Sequence, residues 1–436
     1  MDKILQLIKK EEQRQKQTLM MIPSENYAWP EVRQAVGSVL MHKYAEGQPG
    51  KRYYQGNQFV DEIESLCQER ALRAFGLSPQ KWLANVQPHS GCPANLAVYH
   101  AMLEPGQKIM SMFLLDGGHL SHGWHTKDKK ITLVSKIWQV EFYKVDSKTK
   151  VFNYRKIEKQ AKKFRPKILV SGGTAYASEI DHKRMASIAK KVGAWYLADI
   201  SHEAGLVIGG VNKTPFPFAD FVTFTTHKTL RGPRGAVIIS RKEYGEKINA
   251  SVFPGLQGGP HLHSIAGIAI ALAKAKTKAF KNYARQVVKN AKLLAKLLKA
   301  GGLDVVSGST QKHLILIDLR SWRTNGWIAA NALEAAGIIT NRNTVPNETA
   351  SAFYPSGLRL GTPAITVRGM KEKEIKKIAP WILEIITHVQ DEKLPADVET
   401  RAVFIKSFKN RIAKDKFLLK IKRQVKALTL KFPAPF

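Results

Sequence analysis

The sequence predicts an α/β fold: a large domain on a mostly parallel sheet, then a smaller C-terminal α/β domain. Three observations lead there. Short apolar runs alternate with helical patterns through the first two-thirds of the chain, and such alternation builds a parallel sheet covered by helices on both faces. After Pro260 helical spacing dominates, broken by two strand-like runs. The composition, 44% hydrophobic and 24% charged, suits a chain that buries a large core.

The elements follow in order. Lys3-Ile4-Leu5 and then Lys9-Lys10-Glu11-Glu12 read as an amphipathic helix; a signal peptide would place its charge first, before an unbroken apolar stretch. Runs at 108–113, 131–136, 167–170, 195–200, 221–226 and 236–240 read as strands. Helical spacing occupies 94–103 and 183–192 between them. Beyond Pro260, helices are expected over 264–278 and 282–300, the second stopped by Gly301-Gly302. Strand-like runs at 303–307 and 313–319 precede a helix over 325–336, ended by Gly337. Amphipathic helices at 371–389 and 396–428 lead to a tail, Phe432–Phe436, expected to be loose. The resulting division is an N-terminal arm (1–30), a large domain (31–275) and a small domain with a basic helical tail (276–436).

Charge comes next. There are 69 Lys+Arg against 35 Asp+Glu, a formal +34. Residues 274–299 carry no acid, and residues 401–436 carry only Asp415. Such a surplus invites a nucleic-acid reading, but solvated helix faces rich in lysine explain it as well. Two cysteines exclude a disulfide scaffold at this length. No apolar run approaches the roughly 18 residues of a membrane span. A cytoplasmic protein is expected.

Ligands of parallel α/β sheets bind beyond the carboxyl ends of the strands, and the informative residues stand there. The 221–226 run delivers Thr225, His227 and Lys228 into a Gly/Pro-rich turn. A lysine so placed can form a Schiff base with an aldehyde cofactor; read alone, the stretch fits a surface lysine more readily. The 195–200 run ends on Asp199, followed by His202. A charge there is costly without a partner; a protonated pyridine nitrogen is one, a helix N-cap or a structural lysine another. Ser90-Gly91-Cys92 opens a helix, and free N–H groups with small side chains make a phosphate cradle or a plain capped start. Gly117-Gly118-His119 offers a flat ring for stacking on an aromatic group. His119, His122 and His125 lack an acid or cysteine that would complete a metal-ligand pattern, so no metal is expected. A glycine loop carries Tyr44, Glu46, Tyr53 and Tyr54. Arg359 sits in an apolar, glycine-bounded run and would grip a carboxylate by its planar fork, or form a structural ion pair.

Together these segments resemble serine hydroxymethyltransferases, fold-type-I pyridoxal-phosphate enzymes with an aspartate-aminotransferase-like architecture. The resemblance runs from Ser24-Glu25-Asn26-Tyr27 to Arg368-Gly369, through Pro49-Gly50-Lys51-Arg52-Tyr53-Tyr54, Gln87-Pro88-His89-Ser90-Gly91, Thr225-Thr226-His227-Lys228 and Gln257-Gly258-Gly259-Pro260, in the family's order. It implies reversible transfer of the serine hydroxymethyl carbon to tetrahydrofolate, giving glycine and methylenetetrahydrofolate. Pyridoxal phosphate would be covalent on Lys228, with Asp199 on its ring nitrogen, His119 stacked on its face, and Thr174 and His202 reaching its phenolic oxygen. Ser90, Gly91, Cys92, Thr225 and His227 would lie around its phosphate, with Tyr44 and a Gly259 from a second subunit. Ser24, Tyr54 and Arg359 would bind serine. Glu46 would manage the proton at the substrate hydroxyl, and Tyr54 would assist exchange at Lys228. Tyr53, Leu114, Gly118, His119, Leu120, Asn343, Ser351, Ala352 and Phe353, with Glu46, would hold folate. In the family Tyr44, Glu46 and Tyr54 cross from the partner, so a homodimer with shared sites follows.

Gln48, Cys92, Asp116 and Glu203 depart from the family's usual residues. A thiol at Cys92 donates more weakly than the usual serine. Two other readings fit the sequence: a folate-independent, threonine-type β-hydroxy-amino-acid aldolase, and an RNA-binding protein on the enzyme fold, with non-specific RNA contact through the basic surface.

Overall fold

A computed structural model describes residues 2–436. The chain divides into two compact units, Ala28–Arg285 and Met1–Tyr27 with Gln286–Phe436.

The first unit is built on seven strands: β1 (Trp82–Asn85), β2 (Lys108–Met112), β3 (Gln139–Tyr143), β4 (Ile168–Ser171), β5 (Trp195–Asp199), β6 (Phe221–Thr225) and β7 (Ala236–Arg241). Their order across the sheet is β1-β7-β6-β5-β4-β2-β3. β3, β2, β4, β5 and β6 run parallel, and β7 runs antiparallel to both β6 and β1. Successive residues of each strand enter different cores, as a period of two requires. Leu169, Tyr196, Ala198, Val237 and Ile239 join one apolar cluster. Ile168, Val170, Leu197, Ala236 and Ile238 join another, beneath Ala94, Ala97 and Val98 of the Gly91–Met102 helix. The sheet is thus covered on both faces, as the sequence predicts.

Two strands of this sheet lie outside the predicted set, and both are its edges. The apolar run at 131–136 is a helix, Leu133–Ile137, not a strand. The neighbour of β2 is β3, whose Gln139 and Glu141 face solvent and hide its pattern. β1 pairs only with β7.

The second unit holds an antiparallel sheet of four strands, in the order Asp304–Val305, Leu314–Asp318, Gly357–Gly361, Asn341–Asn343. Its apolar core gathers Ile315, Ile317, Leu358 and Leu360 with helix residues such as Leu333, Ile378 and Ile382. The single helix expected over 396–428 is two, Val398–Lys414 and Lys416–Lys431. Asp415 ends the first and caps the second, accepting from the Leu418 amide at 2.9 Å. His388 Nε2 bonds the other Asp415 oxygen at 2.9 Å.

The C-terminal tail is not loose. Ala434 is buried, and the Phe436 ring packs on Tyr27 at 5.8 Å. Arg368 ties it down, with Nε donating to the Phe432 carbonyl at 2.6 Å and Nη2 to that of Thr429 at 2.8 Å. The same guanidinium reaches the carbonyls of Gln15, Lys16 and Thr18 at 3.2, 2.9 and 2.9 Å. A cation at two helix carboxyl ends complements their dipoles. Arg368→Met leaves several buried carbonyls without donors, so a loss of about 3 kcal/mol is expected in urea unfolding. A loss below about 1 kcal/mol would show that the carbonyls find other donors.

Candidate active site

The carboxyl ends of β4, β5 and β6 and the start of the Gly91–Met102 helix define one cluster. β5 ends on Asp199, which is 9% exposed. Its Oδ2 accepts from Asn95 Nδ2 at 2.9 Å and from His122 Nε2 at 3.1 Å, and its Oδ1 from the Ser201 amide at 2.9 Å. Burial opposes its charge, but the His122 and Ser201 hydrogen bonds outweigh this and hold the carboxyl well below the ordinary carboxylate range. An anion is therefore kept at the strand end.

β6 delivers Lys228, also buried. Thr229 Oγ1 donates to the His202 carbonyl at 3.0 Å and accepts from the Gly205 amide at 3.1 Å, joining the turns after β5 and β6. Thr225 Oγ1 donates to the Ser201 carbonyl at 3.3 Å. Thr174, beyond β4, donates to the Gly118 carbonyl at 2.9 Å, which brings the loop of Leu114, Gly118, His119 and Leu120 alongside. The glycines there permit close backbone approach: a Cβ on Gly172 would stand 2.2 Å from the Asp199 carbonyl oxygen.

The helix start fits an anionic group. Ser90 is the N-cap, yet its side chain makes no cap bond. A Cβ on Gly91 would meet Thr225 Cγ2 at 2.7 Å, so only glycine leaves the cradle open. His227 Nδ1 is buried without a hydrogen-bond partner. Burial, then the Arg234 and Lys228 charges, push that imidazole down to about 3. The Cys92 thiol is pushed up, first by the surrounding protein and then by the Asp199 charge, so it stands as a neutral thiol. A buried amine, a fixed carboxylate, an open helix start and an unsatisfied imidazole fit a pyridine aldehyde bearing a phosphate.

The His227 shift has a pH consequence. Without cofactor, the folded imidazole resists a proton that the unfolded chain takes near 6.5. Stability is unaffected above 6.5 and falls as pH drops from there toward 3. In thermal melts between pH 7 and 5 (roughly the span above most carboxylate titrations), His227→Asn should flatten the cofactor-free protein's decline. Equal slopes would contradict this.

A second cluster in the same unit holds Tyr44, Glu46, Tyr53, Tyr54 and Gly259. The Tyr44 and Tyr54 rings lie 5.2 Å apart, and a Cβ on Gly259 would touch Tyr44 at 3.3 Å. Glu46 Oε1 stands 3.1 Å from the corresponding point on Gly258, and Tyr53 meets Phe253 edge-on at 5.7 Å. His89 Nε2, beside Ser90, bonds the Gly259 carbonyl at 3.3 Å. Ser24, Asn343, Arg359, Ser351, Ala352 and Phe353 belong to the other unit. There Arg359 is buried in the Gly357–Gly361 strand, its Nε donating to Asn341 Oδ1 at 3.1 Å. Burial draws its guanidinium down to about 10. Arg342 lies over the Phe353 ring at 4.5 Å.

Sequence reasoning missed several supports. His122 appears there only as a metal candidate, whereas it holds Asp199. Asn95, Ser121 and Thr223 had no role. Arg52, one letter of the Pro49–Tyr54 motif, is a buried pin: it bonds Glu64 at 2.6 Å, Asp61 at 2.8 Å and the Ala45 and Gly47 carbonyls at 2.9 and 2.6 Å. Gln87 joins it through Glu64 and Gly47. This fastens the Tyr44–Tyr54 loop to the end of β1. A polar residue inside an apolar helix or strand, as Asn95 and Thr223 are, was the available signal. Two departures are structural: Asp116 is buried and accepts from the Val145 amide at 3.0 Å, and Glu203 is buried at the start of the Ala204–Ile208 helix.

Comparison with known proteins agrees with this chemistry. The serine hydroxymethyltransferase family profile matches residues 1–382. The chain is 50% identical over 399 residues to a serine hydroxymethyltransferase of Methanosarcina barkeri, covering 91% of this chain and 95% of the relative. It is 44% identical over 454 residues to the cytosolic serine hydroxymethyltransferase of Oryctolagus cuniculus, covering 99% and 92%. A mitochondrial serine hydroxymethyltransferase of Schizosaccharomyces pombe is 43% identical over 448 residues, covering 99% and 92%. With the profile spanning most of its length, the chain belongs to the serine hydroxymethyltransferase family.

Proposed function

We propose that this chain moves the hydroxymethyl carbon of serine to tetrahydrofolate, reversibly, with the Asp199–Lys228 cluster as its reaction centre. The observation that carries the reading is the buried Asp199 carboxylate, held ionised one strand away from the buried Lys228. Pyridoxal phosphate bound there supplies an electron-withdrawing ring for the carbanion left when the side-chain carbon departs. Lys228 holds that group covalently. Asp199 keeps its ring nitrogen protonated, and His119 packs on the ring face. Thr174 and His202 serve its phenolic oxygen. Ser90, Gly91, Cys92, Thr225 and His227 surround its phosphate. Ser24 and Arg359 orient serine by its carboxylate. Glu46 holds the proton at the serine hydroxyl, and Tyr54 assists exchange at Lys228. Tyr53, Leu114, Gly118, Leu120, Asn343, Ser351, Ala352 and Phe353 receive folate.

A homodimer belongs to the same proposal. Val39, Met41, Tyr53 and Phe59 are 75%, 54%, 73% and 69% exposed, large apolar side chains that suit burial against a second copy. Tyr44, Glu46, Tyr54 and Gly259 would complete the partner's site. Sedimentation should show a dimer; a monomer with full activity would refute shared sites.

No helix among the described residues is long and apolar enough to cross a membrane. The relatives include cytosolic and mitochondrial forms; we assign this chain to the cytoplasm, in keeping with its free Cys67 and Cys92. On the Lys416–Lys431 helix Leu418, Ile421 and Val425 are buried while Lys420, Lys422, Arg423 and Lys426 are exposed. That face can contact RNA phosphates non-specifically, with a steep salt dependence. Absence of binding at about 50 mM salt would end that idea.

Tetrahydrofolate dependence tests the main reading against the aldolase. Serine cleavage should accelerate strongly on its addition. Equal rates with and without it would favour the aldolase.

A further inference from the structure

We propose that Asn95 is a positioning residue that sets Asp199 and His119 together, so that the ring-nitrogen partner and the ring-face partner of the cofactor are not aligned independently. The inference rests on the roles given to those two residues above. Asn95 lies in the Gly91–Met102 helix and is 1% exposed. Below it, Asp199 of β5 and Thr223 of β6 are direct neighbours in the parallel register. The carboxamide bridges both strands.

Its orientation is determined. Thr223 Oγ1 donates to Asn95 Oδ1 at 2.6 Å. Nδ2 faces Asp199 Oδ2 at 2.9 Å and Ser121 Oγ at 2.8 Å. An ionised carboxylate only accepts, so the nitrogen must face Asp199, and a flipped amide would set two oxygens together. The two amide protons are therefore spent on two different partners.

The second partner carries the effect to His119. Ser121 Oγ accepts from Asn95 and lies 2.7 Å from His119 Nδ1, with the Cys92 thiol as its other neighbour. The Ser121 backbone N–H also points to Nδ1, at 3.2 Å. A backbone N–H can only donate, so Nδ1 is an acceptor and His119 carries its proton on Nε2. One carboxamide thus fixes the carboxylate on one branch and the imidazole's tautomer and tilt on the other. Filling space would need none of this directionality.

The test uses full-length holoenzyme of the wild type, Asn95→Ala, Thr223→Val and Ser121→Ala. Pyridoxal-phosphate affinity and the visible circular dichroism of the bound cofactor are read, with thermal melts as a folding control. Asn95→Ala should weaken affinity roughly 10- to 100-fold, since the carboxylate and the imidazole lose the hydrogen bonds that hold them in one alignment, and should diminish the dichroic band. Thr223→Val, which removes only the lock on the amide, should shift both in the same direction by less. The Asn95→Ala/Ser121→Ala pair should change the dichroic band no more than Asn95→Ala alone, because both lie on one branch. Unchanged affinity and dichroism in Asn95→Ala, or additive effects of the pair, would overturn the proposal. Should Asn95→Ala not fold, Thr223→Val with wild-type affinity and dichroism overturns it equally. A wild type with no cofactor signal would instead refute the underlying site assignment.

Discussion

Lys228→Ala is expected to abolish the cofactor absorbance at ~420 nm and to lower serine–glycine turnover by about a thousandfold or more. The side chain is buried in the turn after β6, the strand that pairs with that of Asp199. No other amine is assigned to the cluster. Lys228→Arg keeps the charge but loses the nucleophile, so it should fail similarly. That pair separates covalent attachment from electrostatics. An unchanged spectrum in Lys228→Ala would remove Lys228 from its role.

Asp199→Ala is expected to lower turnover by roughly 100- to 1,000-fold, the usual cost of losing one fixed electrostatic partner of a transition state. It also leaves Asn95 Nδ2 and His122 Nε2 without their shared acceptor. At saturating pyridoxal phosphate, spectrophotometry should find cofactor still attached, though at lower affinity, because Lys228 and the helix cradle remain. The loss should therefore fall on kcat. The carboxyl is held below the ordinary range, so it stays ionised across neutral pH. The wild-type rate should show no acidic limb from this group between about pH 5 and 8. A variant that turns over normally would show that the ring nitrogen needs no anion.

Much of this was legible in the sequence because strands buried on both faces are written as continuous apolar runs. β2 and β4–β7 lie near their predicted positions for that reason. The edges β1 and β3 were not legible, because one side of each is unpaired and β3 mixes Gln139 and Glu141 with its apolar residues. The break at Asp415 looked like a continuing amphipathic pattern; the cap is a local hydrogen bond that periodicity does not encode. At the site, Asp199 is legible because a charge beyond an apolar strand demands a partner, whereas Lys228 and His227 are legible only through the family resemblance of the segments around them. Their supports are not. Asn95, Ser121, His122 and Arg52 act across large separations in sequence, and single polar letters do not reveal their partners.

The charge also takes its place. Lysines on the Lys416–Lys431 helix occupy its solvent face while the opposite face packs into the core. Such a positive surface would attract an anionic folate, and would do so less at high salt.

The central claim is that Lys228 is where pyridoxal phosphate is held. Borohydride reduction of the holoenzyme followed by proteolysis and mass spectrometry tests it most directly. The account predicts the reduced cofactor on the peptide containing Lys228 and on no other lysine. A label on a different lysine, or an unlabelled Lys228 peptide from fully active enzyme, would contradict it.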